Sequence, residues 1–414
     1  MGLSFNKLRK SYKLFDFFYP IVVAIIIVQL LFLPGLRLGV ITAFIILIIA
    51  IKNVNRRILL LNSSINKLVL LYLLYNTGSV VWFLLTGFPI SVFLAEWSNS
   101  ILPILFFYFA YYEKKQSYNF YHITLLTLVF SFILGFILWM RESPLYRVFM
   151  DTTEGVGTDM FFFQSLFGLT ATGALGVIGF LISSDIVLKS NGRKEKIALA
   201  ICMVTIILTF RRSALLVLAL AILSMHFIGY FRYRFIRKRY LLVEAIFLYY
   251  IFTLVSNNYE NFFTELIERG SMISEAFNER SGTWSYAFNY GNLVIGDGLG
   301  SFGHKVIGYS KILITDGNYF KMLAEIGIVG SFLFFAILIA SIILGFMDFR
   351  NKYLEVSIVL GLSLMAIGSN IFTYQTLAPI FWYSIGRLSI NYRQKENMTM
   401  GDNDTNVMKP CNLV

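Results

Sequence analysis

Of 414 residues, 57% are hydrophobic and only 14% are charged, whereas a soluble globular chain carries about a quarter charged residues. That balance excludes a soluble enzyme and describes a polytopic membrane protein. The formal net charge of +12, which in a soluble chain would point to nucleic acid, is here first a question of which side of the membrane each Lys and Arg occupies.

The N-terminus leads with Lys7, Arg9, Lys10 and Lys13 into an apolar run too long for a signal-peptide core and without a small-residue cleavage site. The first helix is therefore expected to remain as an uncleaved anchor. Runs near the length of about 20 residues that crosses a bilayer fall near 14–33, 36–51, 67–86, 90–112, 119–140, 160–183, 196–210, 212–231, 240–256, 322–346, 354–372 and 375–390. The expected fold is all-α, with about 12 transmembrane helices. Pro34-Gly35 leaves open a helix followed by a re-entrant hairpin for the first two runs.

The stretch 196–231, IALAICMVTIILTFRRSALLVLALAILSMHFIGYF, is interrupted only by Arg211 and Arg212. As one helix it would run on the order of 50 Å, well beyond a bilayer, so two spans meeting at the arginines are expected. Charge agrees. With both termini cytoplasmic, the inner segments collect Lys7 to Lys13, Lys52 to Lys67, Lys114 and Lys115, Lys189 to Lys196, Arg232 to Arg239, Arg350, Lys352 and the tail, about 25 of the 35 basic residues. One span would strand Arg232 to Arg239 outside.

The basic residues left on the outer side are Arg37, Arg141, Arg147, Arg211, Arg212, Arg269, Arg280, Lys305, Lys311 and Lys321. Half of them, Arg269, Arg280, Lys305, Lys311 and Lys321, belong to a large extracytoplasmic loop over 257–321. It opens with an amphipathic pattern, FFTELIERGSMISEAF, suited to a helix along the membrane surface. It continues through GDGLGSFGHK, which forbids continuous helix. Residues 1–393 read as a single transmembrane domain containing this loop, and 394–414 as a disordered cytoplasmic tail.

Chemistry concentrates in Arg280 to Gly330, where Gly, Asp, Asn, His and Arg crowd together. Arg211 and Arg212 must face a polar cavity or the headgroups, because a guanidinium in lipid costs about 2.5–3.5 kcal/mol or more. They are either bidentate oligophosphate ligands or a snorkelling turn. Arg280 opens the glycine-dense run, whose backbone amides can approach an anion closely, and Glu279, Asp297, His304 and Asp316 are its titratable neighbours. Each of these also reads as a solvated loop charge. Glu325 is expected at the start of a transmembrane helix, complementing its dipole. His122, His226 and His304 fall in separate regions, and Cys202 and Cys411 offer neither a disulfide framework nor metal-ligand spacing, so no metal and no other cofactor is expected. GxSxG is absent, as is a GK[ST] phosphate loop.

These motifs in this order resemble the membrane O-antigen polymerases and O-antigen ligases of bacterial envelopes. Thr209-Phe210-Arg211-Arg212-Ser213-Ala214 is similar to the family's T-x-S-R-G-A-like helix start. Arg280, Trp284, the Gly296-Asp297-Gly298-Leu299-Gly300 turn, and Asp316-Gly317-Asn318-Tyr319 leading into Leu323 to Gly330 are similar to its late external loop. The likeness covers roughly 196–335. Ligases carry a histidine where this chain has Asp316, which favours a polymerase.

The resemblance implies a metal-independent glycosyltransferase of the bacterial inner membrane that joins undecaprenyl-diphosphate-linked repeat units on its outer face, making O-antigen or capsular polysaccharide. Arg212 and Arg280, then Arg211, would hold the diphosphate. Asp316, then Glu279 or His304, would be the catalytic base. Partners implied are membrane lipid, a chain-length regulator and a flippase, with no nucleic acid. The alternatives are the ligase, which moves polymer to the lipid A core, and a lipid-linked-glycan flippase or transporter. For the last, Asn76-Thr77-Gly78, Glu96 and Gln164 would be midplane residues.

Overall fold

A computed structural model of the chain describes residues 13–32, 43–49, 64–111, 119–140, 163, 165–167, 169–190, 192–209, 211–228, 280–314 and 316–390. Among them the fold is all-α, the sole extended pairing being an isolated bridge between Ile307 and Ser310. The helices are α1 (Phe18–Phe32), α2 (Ser64–Gly78), α3 (Ile90–Ser100), α4 (Leu105–Tyr111), α5 (Asn119–Met140), α6 (Leu169–Ser190), α7 (Arg193–Thr209), α8 (Arg212–Ile228), α9 (Asn318–Met347), α10 (Phe349–Met365) and α11 (Ala378–Leu388). Among the described residues, five stretches are long and apolar enough to cross a membrane: Ser64–Thr86, Ile90–Tyr111, Asn119–Trp139, Ala171–Lys189 and Asn318–Met347.

The arginine-marked break is present, with α7 ending at Thr209 and α8 starting at Arg212. Other boundaries differ from expectation. The helix within the run expected over 160–183 is described from Leu169 and continues to Ser190; the one expected over 354–372 starts at Phe349 and stops at Met365. The expected span at 240–256, the surface helix of 262–277 and the tail of 394–414 lie outside the described residues.

α6 is the central post, since 83% of its apolar stretch is buried, against 28% for Ser64–Thr86. Its glycines explain the close packing. A Cβ at Gly176 would stand 2.7 Å from Ile206 Cγ1, and one at Gly179 would stand 2.7 Å from Cys202 Sγ, so α7 sits against bare backbone. Where lipid is as apolar as the side chains, such small-residue contacts are a main source of helix association.

The helices alternate between two ends. At one, the Lys352 ammonium donates to the carbonyls of Leu388 (2.7 Å) and Ile390 (2.5 Å), closing the last turn of α11. Beside it a buried pair joins Arg387 to Glu355 at 3.5 Å. At the other end the start of α9 meets the end of α10 through the Asn318 N–H and the Ala366 carbonyl (3.0 Å). The segment 280–314 is gathered there, and we call it the loop end.

Candidate functional site

The site is organised by a break in α9. Gly327 has φ 65° and ψ −172°, dividing the helix into 318–326 and 328–347. A break within an apolar stretch strips backbone groups of their helical partners, and each would cost several kcal/mol in hydrocarbon if left bare. The loop supplies the replacements. The N–H groups of Asp297 and Gly298 donate to the carbonyls of Ala324 (3.1 Å) and Glu325 (2.8 Å), while Ile328 and Val329 donate to Leu293 (2.8 Å) and Val294 (3.2 Å). The Tyr75 hydroxyl lies 3.1 Å from the carbonyls of both Ile295 and Ile326, tying α2 to the joint. Glycine is required for this fit: a Cβ at Gly298, whose φ is +93°, would stand 2.8 Å from Phe83 Cα.

Behind the loop lies a buried charge cluster. Lys321, Glu96 and Glu325 are each only 3–4% exposed. The Lys321 ammonium donates to Glu96 Oε1 at 2.5 Å and lies 3.8 Å from Glu325 Oε1. Ser100 donates to Glu96 (3.0 Å), and the Phe302 N–H donates to Glu325 (3.4 Å). Gly303 closes over the lysine, since a Cβ there would stand 2.7 Å from Lys321 Cε. A cavity of about 40 Å³ beside the cluster, lined also by Asn318 and Thr373, is large enough to hold water. The expected role of Glu325 is corrected here. It does not begin a helix; it is in the second turn of α9, and its carboxylate faces a lysine.

In front of the loop, two residues expected to be functional come together. Arg280 Nε is 3.4 Å from Asp316 Oδ2, with both side chains about two-fifths exposed. Trp284 fixes the spacing: its indole N–H donates to the Asp316 carbonyl (2.8 Å), and its ring stacks on Phe320 at 4.5 Å and 10°. Gly317, at φ +94°, leaves room for that indole. A Cβ at Gly368 would be 3.6 Å from Arg280 Nη1, so the guanidinium lies over the turn that follows α10. An ion pair this exposed contributes about 0–1 kcal/mol. The pair therefore adds little to the stability of the fold.

The remaining candidates are placed as follows. α8 packs on α10, where a Cβ at Gly361 would stand 3.0 Å from Val217 Cγ1. A Cβ at Gly173 would stand 3.5 Å from Arg211 Cβ, which puts the arginine turn at the start of α6, while Asp185 and Lys189 near the end of α6 act electrostatically on Glu355, in the half of α10 away from Ala366. The arginine turn and Arg280 thus share one end of the bundle. Arg211 is half-buried, and Arg212 opens the helix, its side chain lying outside the described residues, as does all of Glu279. His304 is exposed in a 3-10 turn beside α3, and no hydrogen bond or ion pair joins it to Arg280 or Asp316. Gln164 is outside the described residues. Compared with known proteins, the chain matches no family model and no curated protein sequence.

Proposed function

We propose that the chain is a multi-pass glycosyltransferase of the bacterial inner membrane, acting on polyprenyl-diphosphate-linked glycans at its outer face. Within that class it is a polysaccharide polymerase, which moves a growing chain from one carrier to the sugar of a repeat unit on another. In this reading about twelve helices cross the membrane, both termini are cytoplasmic and the loop end faces outward.

The observation that carries the reading is the Arg280–Asp316 pair, aligned by Trp284 at the end shared with the arginine turn. Breaking the bond between a sugar C1 and a diphosphate oxygen leaves charge on the diphosphate, which Arg280, with Arg212 and Arg211, neutralises as it develops. The acceptor hydroxyl loses its proton as the new bond to C1 forms, and Asp316, released from Arg280 by the incoming diphosphate, takes that proton. The test is the length profile of the surface glycan in cells lacking the gene. Collapse of a ladder to single repeat units supports the polymerase. An intact ladder refutes it, and unattached polymer accumulating on its carrier would identify the ligase instead.

One observation favours a transporter of lipid-linked glycan as the second reading: a broken membrane-length helix with three buried charges beside the break resembles the discontinuous helices at transporter sites. Accumulation of single carrier-linked repeat units on the inner leaflet of deletion cells would select it.

A further inference from the structure

The glycine loop separates two spaces. The charge cluster lies behind it. The other is a cleft of about 450 Å³ between residues 82–88 and the outer face of the loop, lined by Trp82, Phe88, Tyr290, Asn292, Asp297 and Ser301. That volume is within the range of small-ligand sites, about 300–1,000 Å³. We propose that this cleft is a saccharide subsite, in which Asp297 accepts hydrogen bonds from the hydroxyls of a neutral or amino sugar while Trp82 and Tyr290 pack against its ring. The inference rests on the glycosyltransferase reading for its source of ligand, a glycan carried on lipid.

The chemistry of the lining selects the ligand. Asp297 is half-buried, its Oδ1 accepts the Asn292 N–H (3.2 Å), and among the described residues no cation pairs with it. A carboxylate without a counter-ion repels a phosphate, so this is not a second anion site. A hydrocarbon chain would cover the carboxylate without satisfying it, at a cost of about 1–3 kcal/mol or more. The Trp82 indole lines the same cleft. A sugar ring suits this lining: its hydroxyls donate to a carboxylate, and its C–H face suits an aromatic surface.

The rim fixes the direction of approach. Leu85 lines the cleft and is 85% exposed, next to Leu84 at 57% and near Val81 at 64%, so the cleft borders a lipid-facing belt and receives a ligand tethered in the membrane plane. A small core of Ala287, Phe302, Ile314 and Ala324, with Trp284 and Phe320 packed on it, lies between the cleft and Arg280. Cation and carboxylate therefore divide the carrier-linked glycan, the diphosphate going to Arg280 and a sugar remote from it going to Asp297.

The test is saturation-transfer NMR on the full-length protein in lipid nanodiscs. The probe is the oligosaccharide released by mild acid from the carrier-linked glycans of the producing cells. Asp297→Asn and Tyr290→Ala should each weaken binding about tenfold, the size of one lost hydrogen bond to a charged group or one lost ring contact. Arg280→Ala should leave it unchanged, because the free sugar has no diphosphate. Tyr290 is 57% exposed, so its truncation keeps the test valid if Asp297→Asn fails to fold. Unchanged binding in the folded variants, or transfer to the sugar absent in the unsubstituted protein, overturns the subsite. An intact glycan ladder in deletion cells, with sugar binding still dependent on Asp297 and Tyr290, would remove the polymerase and leave the subsite standing.

Discussion

Two carboxylates share one ammonium in the cluster behind the loop, and that stoichiometry makes an asymmetric prediction. Lys321→Met removes the only cation among the described residues in direct contact with Glu96 and Glu325, leaving both to face each other at 3–4% exposure. Breaking a buried pair by deleting one partner costs about 3–5 kcal/mol. Glu96→Gln differs. The amide oxygen still accepts from Lys321 and Ser100, and Lys321 keeps Glu325 at 3.8 Å, so the charges become one to one and the cost should stay within about 1 kcal/mol. Adding Glu96→Gln to Lys321→Met should recover about 0.5–3 kcal/mol, the usual coupling between contacting residues. The assay is the thermal midpoint of the purified protein in one fixed detergent, read for the four proteins of the cycle at one scan rate, because membrane-protein unfolding is frequently irreversible. Equal losses from Lys321→Met and Glu96→Gln would show that Glu325 takes no part in the pairing and would refute the reasoning.

Gly327→Ala should cost about 3 kcal/mol, since its φ and ψ lie in a region reserved for glycine and the new Cβ would stand 2.5 Å from the Val294 carbonyl carbon. Gly78→Ala, with nothing within 4 Å, should change stability by no more than about 1 kcal/mol; thermal midpoints compare the two. Arg280→Ala should reduce polymer formation about 100-fold, in the range for loss of one transition-state donor, with Arg280→Lys recovering little because the planar fork is lost. Arg212→Ala should do the same, with membrane insertion checked by immunoblot and normal polymer from both alanine variants counting against the diphosphate assignment. Burial raises the Asp297 carboxyl above its ordinary value, opposed in part by the Asn292 N–H. The folded protein therefore holds this proton more tightly than the unfolded chain. Its contribution favours folding at pH below the unfolded value and is lost as pH rises through the folded one. Asp297→Asn should thus stabilise the protein slightly at neutral pH, by less than about 1 kcal/mol given the solvent screening, while weakening sugar binding. A midpoint lowered at pH 7 but unchanged at pH 4 would contradict it.

The sequence displayed what charge and composition write locally. Arg211 and Arg212 interrupt an apolar run, and the chain breaks there; Arg280, Trp284 and Asp316 stand in one glycine-rich segment, and they meet. Boundaries failed where polar residues are satisfied inside the bundle. Ser183 and Ser184 look like a helix end, yet their hydroxyls donate to the carbonyls of Gly179 (2.7 Å) and Phe180 (2.8 Å) one turn back, so α6 runs on. Lys352 reads as a residue outside a span because its partners, the carbonyls at the end of α11, are distant in sequence. Lys321 and Glu96 are separated by 225 positions, and no local pattern could pair them. Gly327 was one glycine among several until its backbone angles singled it out.

The stitching of the loop to α9 bears on how the protein is made and how it can be recombined. Residues 291–298 are synthesised before 328 and 329, so the segment that completes the backbone of the broken helix is already present when that helix enters the membrane. Deleting the loop would not trim an appendage; it would force the helix to straighten or leave amides bare in lipid. A chimera that exchanges this loop must therefore carry 291–329 as one cassette, with Tyr75 of the receiving bundle in place to accept it.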